Sequence, residues 1–289
     1  MQRTCIKKDN VCVIMSFTSL DTQNQQKIID SYLNKYNSGD IFSLYHLAYI
    51  YQFGEHKDRA QADVLASQYY HDFLKKQKPL DNVTKGIVYN SLGLLHEHSV
   101  TLKNNKYAEL CFLKAIKKND LSAYINLAIF YFCHKRIKDA KKYFKLSIKK
   151  DPYNHHVYNG LACVYFHDNK FIKSEQNFMK AIDYGSSDSL YNLANLYHKE
   201  NKLTLATQYY SAAWHMCNDH IKIMCQNSIK SLYPTDDCMI IIKKFYNSYL
   251  INKSNQLEDE ITQLENKSSY PGTTTIKIGI IKNGYNSME

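Results

Sequence analysis

The chain has 289 residues, 44% of them hydrophobic, which is enough apolar side chain for a substantial core and excludes disorder throughout. Its formal charge of +10 invites a nucleic-acid reading, yet only Arg3, Arg59 and Arg136 among the 37 basic residues are arginine. Lysine is a hydrated point charge without the bidentate fork that reads phosphates and base edges, so much of this charge is expected on solvated faces.

Near the N-terminus VCVIMSF is the only apolar run, and it is too short for a signal-peptide core or a membrane span. Residues 1–21 are expected to be a disordered extension, and the protein to be soluble and cytoplasmic. The eight cysteines contain no CxxC pair, so they are expected as free, mostly buried thiols of a reducing compartment. From 22 to 38 the spacing of Ile28, Ile29, Tyr32, Leu33 and Tyr36 predicts an unpaired helix that caps the next segment.

From residue 40 the chain repeats itself. An aromatic or leucine, a leucine, a small residue and a second aromatic recur at i, i+3, i+4 and i+7, which places all four on one helical face. The copies are Leu44, Leu47, Ala48, Tyr51; Tyr89, Leu92, Gly93, His96; Tyr124, Leu127, Ala128, Tyr131; Tyr158, Leu161, Ala162, Tyr165; and Leu190, Leu193, Ala194, Tyr197. After the later copies comes a second pattern: Ala108, Phe112, Ala115; Ala140, Phe144, Ser147; Ser174, Phe178, Ala181; and Ala206, Tyr210, Ala213. In the last three units the small residues of the two patterns keep one fixed offset, which predicts pairs of antiparallel helices approaching closely where the side chains are small. KNDLS, KKDPYN and DYGSSD separate the units with residues that end or cap helices. A sustained period of about 34 residues means a helical solenoid.

YNGLACVYFHDNKFIKSEQNFMKAI resembles the tetratricopeptide repeat, with Pro152 where that repeat commonly carries its terminal proline. KAIDYGSSDSLYNLANLY and LYHLAYIYQFGEHKDRAQADVLASQYY look more like its Sel-like cousin, with Gly185 closing a unit and Gly54 following a first helix. The resemblance implies an all-α solenoid of antiparallel helix pairs, a curved right-handed array with poorly structured termini. Five repeats would fill 40–215, at about 40–76, 83–118, 121–150, 154–183 and 187–215. The tryptophan of the family's first helix is missing here, and the lone Trp214 stands at the end of the fifth unit instead. Residues 219–251 read as a degenerate sixth pair broken at Pro234. Residues 252–289 read as one more short helix, through Leu257, Ile261 and Leu264, and then a flexible tail in which TIKIGII is β-prone.

Catalytic patterns are missing. There is no GxGxxG, GxxxxGK[ST] or HExxH. His96 and His98 diverge on a helix, His155 and His156 open one after Pro152, and Cys133 beside His134 is an adjacent pair whose side chains point apart. No enzyme activity, cofactor or metal is expected. In families of this shape the second helices lie on the convex side, so the stripe Lys138, Lys141, Lys142, Lys145 and Lys149 reads as a solvated outer face. First helices line the concave side, where Asn90, Asn126, Asn159, Asn192 and Asn195 recur. An asparagine amide both donates to and accepts from a peptide backbone, which suits it to hold a protein segment whatever that segment's side chains. The basic cluster with which tetratricopeptide domains grip chaperone C-termini is absent. The expected function is a non-catalytic scaffold that takes a peptide or helix of a partner protein in its concave groove. The alternative is an RNA-binding array, because pentatricopeptide repeats share the period and YN.L resembles their opening. Against it, the unit lengths vary and lysine dominates arginine, so a protein partner is expected rather than nucleic acid or a membrane. Partner identity and oligomeric state are not encoded in the scaffold pattern.

Overall fold

A computed structural model describes residues 22–76 and 81–267, and among them thirteen helices and no strand. In chain order these are α1 (Thr22–Asn37), α2 (Phe42–Phe53), α3 (Arg59–Lys76), α4 (Asn82–His98), α5 (Asn105–Lys117), α6 (Ser122–Cys133) and α7 (Ile137–Lys150). Then come α8 (His155–His167), α9 (Phe171–Asp183), α10 (Asp188–Lys199), α11 (Leu203–Met216), α12 (Asp219–Leu232) and α13 (Cys238–Lys267). The chain divides into two compact units between Val164 and Tyr165, inside α8. The extension at 1–21 and the tail from 268, with its TIKIGII segment, lie outside the described residues.

In the first unit α2 packs against α3, α4 against α5 and α6 against α7. Side chains from the recurring pattern form the core: Leu44, Leu47, Ala48, Leu92, Ala108, Phe112, Ala115, Leu127, Ala128, Ala140 and Phe144 are all buried. Two glycines show how closely the helices meet. A Cβ built on Gly93 would lie 2.6 Å from Phe112 Cε1, and one on Gly160 would lie 2.5 Å from the Phe144 ring, so neither position has room for a side chain. Helix α1 packs on α2 through Ile29, with Ile28, Tyr32 and Leu33 around Leu47 and Ile50.

Asp81, Asn104 and Asn218 each cap a following helix by accepting a backbone N–H, at Thr84, Tyr107 and Ile221. First helices stop in a repeated way: Lys135, Asn169 and Asn201 take positive φ, and the next residue's N–H donates back to the carbonyl of Tyr131, Tyr165 and Tyr197 at 2.8, 2.9 and 2.9 Å. Asn119 and Gly185 end α5 and α9 similarly.

In the second unit α10 packs against α11, again over buried small and aromatic residues including Leu193, Ala194, Ala206, Tyr210 and Ala213. The chain after α11 departs from a sixth helix pair. Two helices form, but α13 lies chiefly on α11 and touches α12 little. The reason is a set of facing rings: His215 stacks on Tyr246 at 3.9 Å and Tyr209 meets Tyr249 edge-on at 5.4 Å, with Ile242 and Tyr249 buried. Nor is there a separate short helix after residue 251. Between Cys238 and Lys267 no glycine or proline interrupts the chain, and α13 runs on as one helix of 30 residues.

Candidate functional site

The five asparagines do not form one set. Asn90 on α4 and Asn126 on α6 are both half-buried, and Asn126 Nδ2 donates to Asn90 Oδ1 at 2.9 Å. Each amide is left with capacity: Asn90 keeps its two N–H donors and Asn126 its carbonyl oxygen. A donor and an acceptor thus stand side by side, the complement of one peptide group. Asn159 is half-buried on α8 in the same unit. Asn192 and Asn195 belong to the second unit, and Asn195 Oδ1 accepts the Tyr210 hydroxyl at 2.7 Å, so it is turned to its own second helix.

Along α4 the face that carries Asn90 continues with Leu94 and Glu97, and along α6 the face of Asn126 continues with Ile129 and Cys133, at i+3, i+4 and i+7 spacings. Helix α6 contains no charged residue, yet Ile129 is 43% exposed and Cys133 is exposed. An uncharged helix with one open apolar side marks an interaction face more often than bare surface. No motif in the sequence singles out Glu97. Its side chain is only 8% exposed, and its one ion-pair contact among the described residues is His98 Nε2 at 3.7 Å. Burial pushes this carboxyl above its ordinary range, against the opposing pull of His98, His134 and Lys103.

Cys133 and His134 do not form an activated pair. Burial and then the Glu97 charge push its thiol up, the reverse of what activation requires. The His134 ring bonds the Phe130 carbonyl at 2.8 Å and packs on the Phe130 ring at 4.2 Å. His155 and His156 lie with ring centroids 4.0 Å apart at the start of α8. The lysine stripe of α7 is exposed at Lys138, Lys142, Lys145 and Lys149 and half-buried at Lys141, opposite buried Ala140 and Phe144.

Both described arginines are committed to internal contacts. Arg59 pairs with Asp63 at 2.5 Å and donates to the carbonyls of Gln52 and Gly54. Arg136 pairs with Glu109 at 3.0 Å and Asp139 at 2.9 Å, and its guanidinium sits 4.1 Å above the Tyr131 ring. Tyr131 also donates to Glu109 at 2.7 Å, and Tyr197 donates to Glu175 at 2.6 Å, both across 22 residues. In each case the second aromatic of a first helix reaches the residue that comes after the small residue of the preceding second helix. That sequence signal was available in the register itself.

No protein-family description matches the chain, and no curated protein does. Solved structures do. BtubC from P. vanneervenii is 13% identical with a TM-score of 0.52, covering 66% of this chain and 87% of its own. The chain is a tetratricopeptide-like helical repeat array. Lower likenesses are PilF of Pseudomonas aeruginosa (16% identity, TM-score 0.48, 65% of this chain and 90% of that one) and YrrB, a TPR protein with an unusual peptide-binding site (13%, 0.46, 70% and 99%). At these identities the TPR-like resemblance is one of fold. No helix among the described residues is long and apolar enough to cross a membrane.

Proposed function

We propose that this TPR-like chain is a non-catalytic interaction scaffold that holds a segment of a partner protein on the first-helix face of its helix pairs. The observation that carries the reading is the Asn90–Asn126 pair, which offers an unused donor and an unused acceptor beside the open side of an uncharged helix. Asn159, on α8 of the same unit, extends the proposal, and Asn192 is a separate candidate on the second unit. Asn195 does not, because Tyr210 occupies it. An RNA-binding array would use its arginines outwardly, whereas Arg59 and Arg136 tie helix ends together. The free thiols among the described residues accord with a cytoplasmic, reducing setting.

Panning phage-displayed 12-residue peptides on the full chain tests the proposal. Selected peptides should bind Asn126→Ala roughly tenfold or more weakly, since a lost amide leaves peptide polar groups unpaired, with helicity unchanged. They should bind a Lys138→Ala/Lys141→Ala/Lys145→Ala variant as they bind the wild type. A chain that retains no peptide but holds poly(U) at physiological salt, and loses it with the three lysines, refutes the scaffold reading.

A further inference from the structure

Glu97 is the anomaly of the first unit. Carboxylates on helices of a solenoid are ordinarily solvated or paired, as Glu109 and Glu175 are here. Glu97 is mostly buried, and its only ion-pair contact among the described residues is an exposed histidine at 3.7 Å, longer than a hydrogen bond. It comes two helical turns after Asn90 on the same side of α4, so the Asn90–Asn126 pair and the Glu97–Cys133 level lie about 10 Å apart along two neighbouring first helices. Leu94 and the 43%-exposed Ile129 fill the interval. About three residues of extended chain span that distance.

We infer that Glu97 is a specificity-determining residue that takes the cationic side chain of a lysine or arginine in the bound segment, with an apolar residue seated on Leu94 and Ile129 and a peptide group on Asn90 and Asn126. The inference rests on the scaffold reading above and names the partner's chemistry. A basic group arriving at Glu97 gains a partner of opposite charge within hydrogen-bond reach, in place of a histidine at 3.7 Å. The groups facing Glu97 are His98 on its own helix, Lys103 on the following loop, and Cys133 and His134 at the end of α6. Burial raises the carboxyl despite the favourable charges among them. A carboxyl buried at a cost to the free protein is what a binding role would retain and a structural role would not.

The test uses the pool of phage-displayed peptides selected on the full wild-type chain, and then one selected peptide in fluorescence polarisation. The pool should be enriched in lysine or arginine beside apolar residues. The chosen peptide should bind Glu97→Gln at least tenfold more weakly, and its own Lys→Met or Arg→Met derivative should bind wild type and Glu97→Gln alike. The melting temperature of Glu97→Gln at pH 7.5 should equal or exceed that of the wild type. Selected peptides that need Asn126 but show no basic enrichment, or that bind Glu97→Gln unchanged, overturn the role of Glu97 and leave the scaffold reading standing. A Glu97→Gln variant that melts well below wild type while the Met derivative binds as tightly as the parent shows Glu97 to be structural. Failure to select any peptide removes both.

Discussion

Replacing Gly93 by alanine sets two known effects against each other. Alanine favours a helix interior over glycine by about 1 kcal/mol, so on propensity alone the variant should be more stable. Packing argues the reverse. The new methyl would lie 2.6 Å from Phe112 Cε1 and 2.7 Å from Cδ1, inside the distance at which one of the two groups must shift. The ring has no easy retreat: Phe112 is fully buried, and Phe130, itself 2% exposed, stands behind it with ring centroids 6.0 Å apart. Overpacking of this kind costs about 1–3 kcal/mol. With a ring wedged between helices the upper half of that range applies, so the net loss should be about 1–2 kcal/mol. Circular dichroism melts should then show a fall of about 3–6 °C for a cooperative unit of this size. Gly160→Ala, whose Cβ would sit 2.5 Å from the Phe144 ring, applies the same test to the contact between α7 and α8, which joins successive helix pairs. Combining Gly93→Ala with Phe112→Leu should relieve the clash, giving a favourable coupling of about 1 kcal/mol in a double-mutant cycle. A rise in melting temperature for Gly93→Ala, or strict additivity in the cycle, would refute the close approach of α4 and α5.

Tyr131→Phe and Tyr197→Phe each remove a hydroxyl that donates to a glutamate of the preceding helix pair, and each should lower stability by about 1 kcal/mol in chemical denaturation; an effect at only one of them would show that the repeated bond is not a repeated contribution. Burial lowers the pKa of His96, partly offset by its bond to the Leu102 carbonyl, so its folded value lies below the unfolded one. Its contribution is therefore present above about pH 6.5 and is lost as the pH falls. The stability advantage of wild type over His96→Phe should shrink between pH 7.5 and 5, and a difference independent of pH would count against this assignment.

The helix pairs were legible because their signal is redundant. Leu127, Ala128 and Tyr131 fix one helical face, Ala140 and Phe144 fix the face that meets it, and the same spacing returns in other units, so chance agreement is excluded by repetition. Contacts that depend on how two helices cross were less legible. That Asn90 and Asn126 share a side could be read, but not their bond, because Asn90 stands three residues before its small residue and Asn126 two. Asn195 was grouped with them by its helix alone, although only the crossing of α10 and α11 decides that Tyr210 reaches it. The end of the array was less legible for a related reason. Past Pro234 the repeat spacing fades, and the aromatic facing of His215 on Tyr246, which directs α13 to α11, has no counterpart in the earlier units.

Two kinds of polar residue are thus separated in the first unit. Tyr131, Glu109, Arg136 and Asp139 close on one another, and the first contact recurs at Tyr197 and Glu175 at the same separation. A repeated and satisfied contact belongs to the scaffold, since any unit that stacks on another can use it. Glu97 and the remaining amide groups of Asn90 and Asn126 take no part in that repeated network, and they stand along neighbouring helices beside an apolar surface that the fold does not cover. Stability alone would favour glutamine over a largely buried glutamate at residue 97, and a polar residue over Ile129 on an open face. That both disfavoured choices occur on one two-helix surface is the reason for placing the partner there.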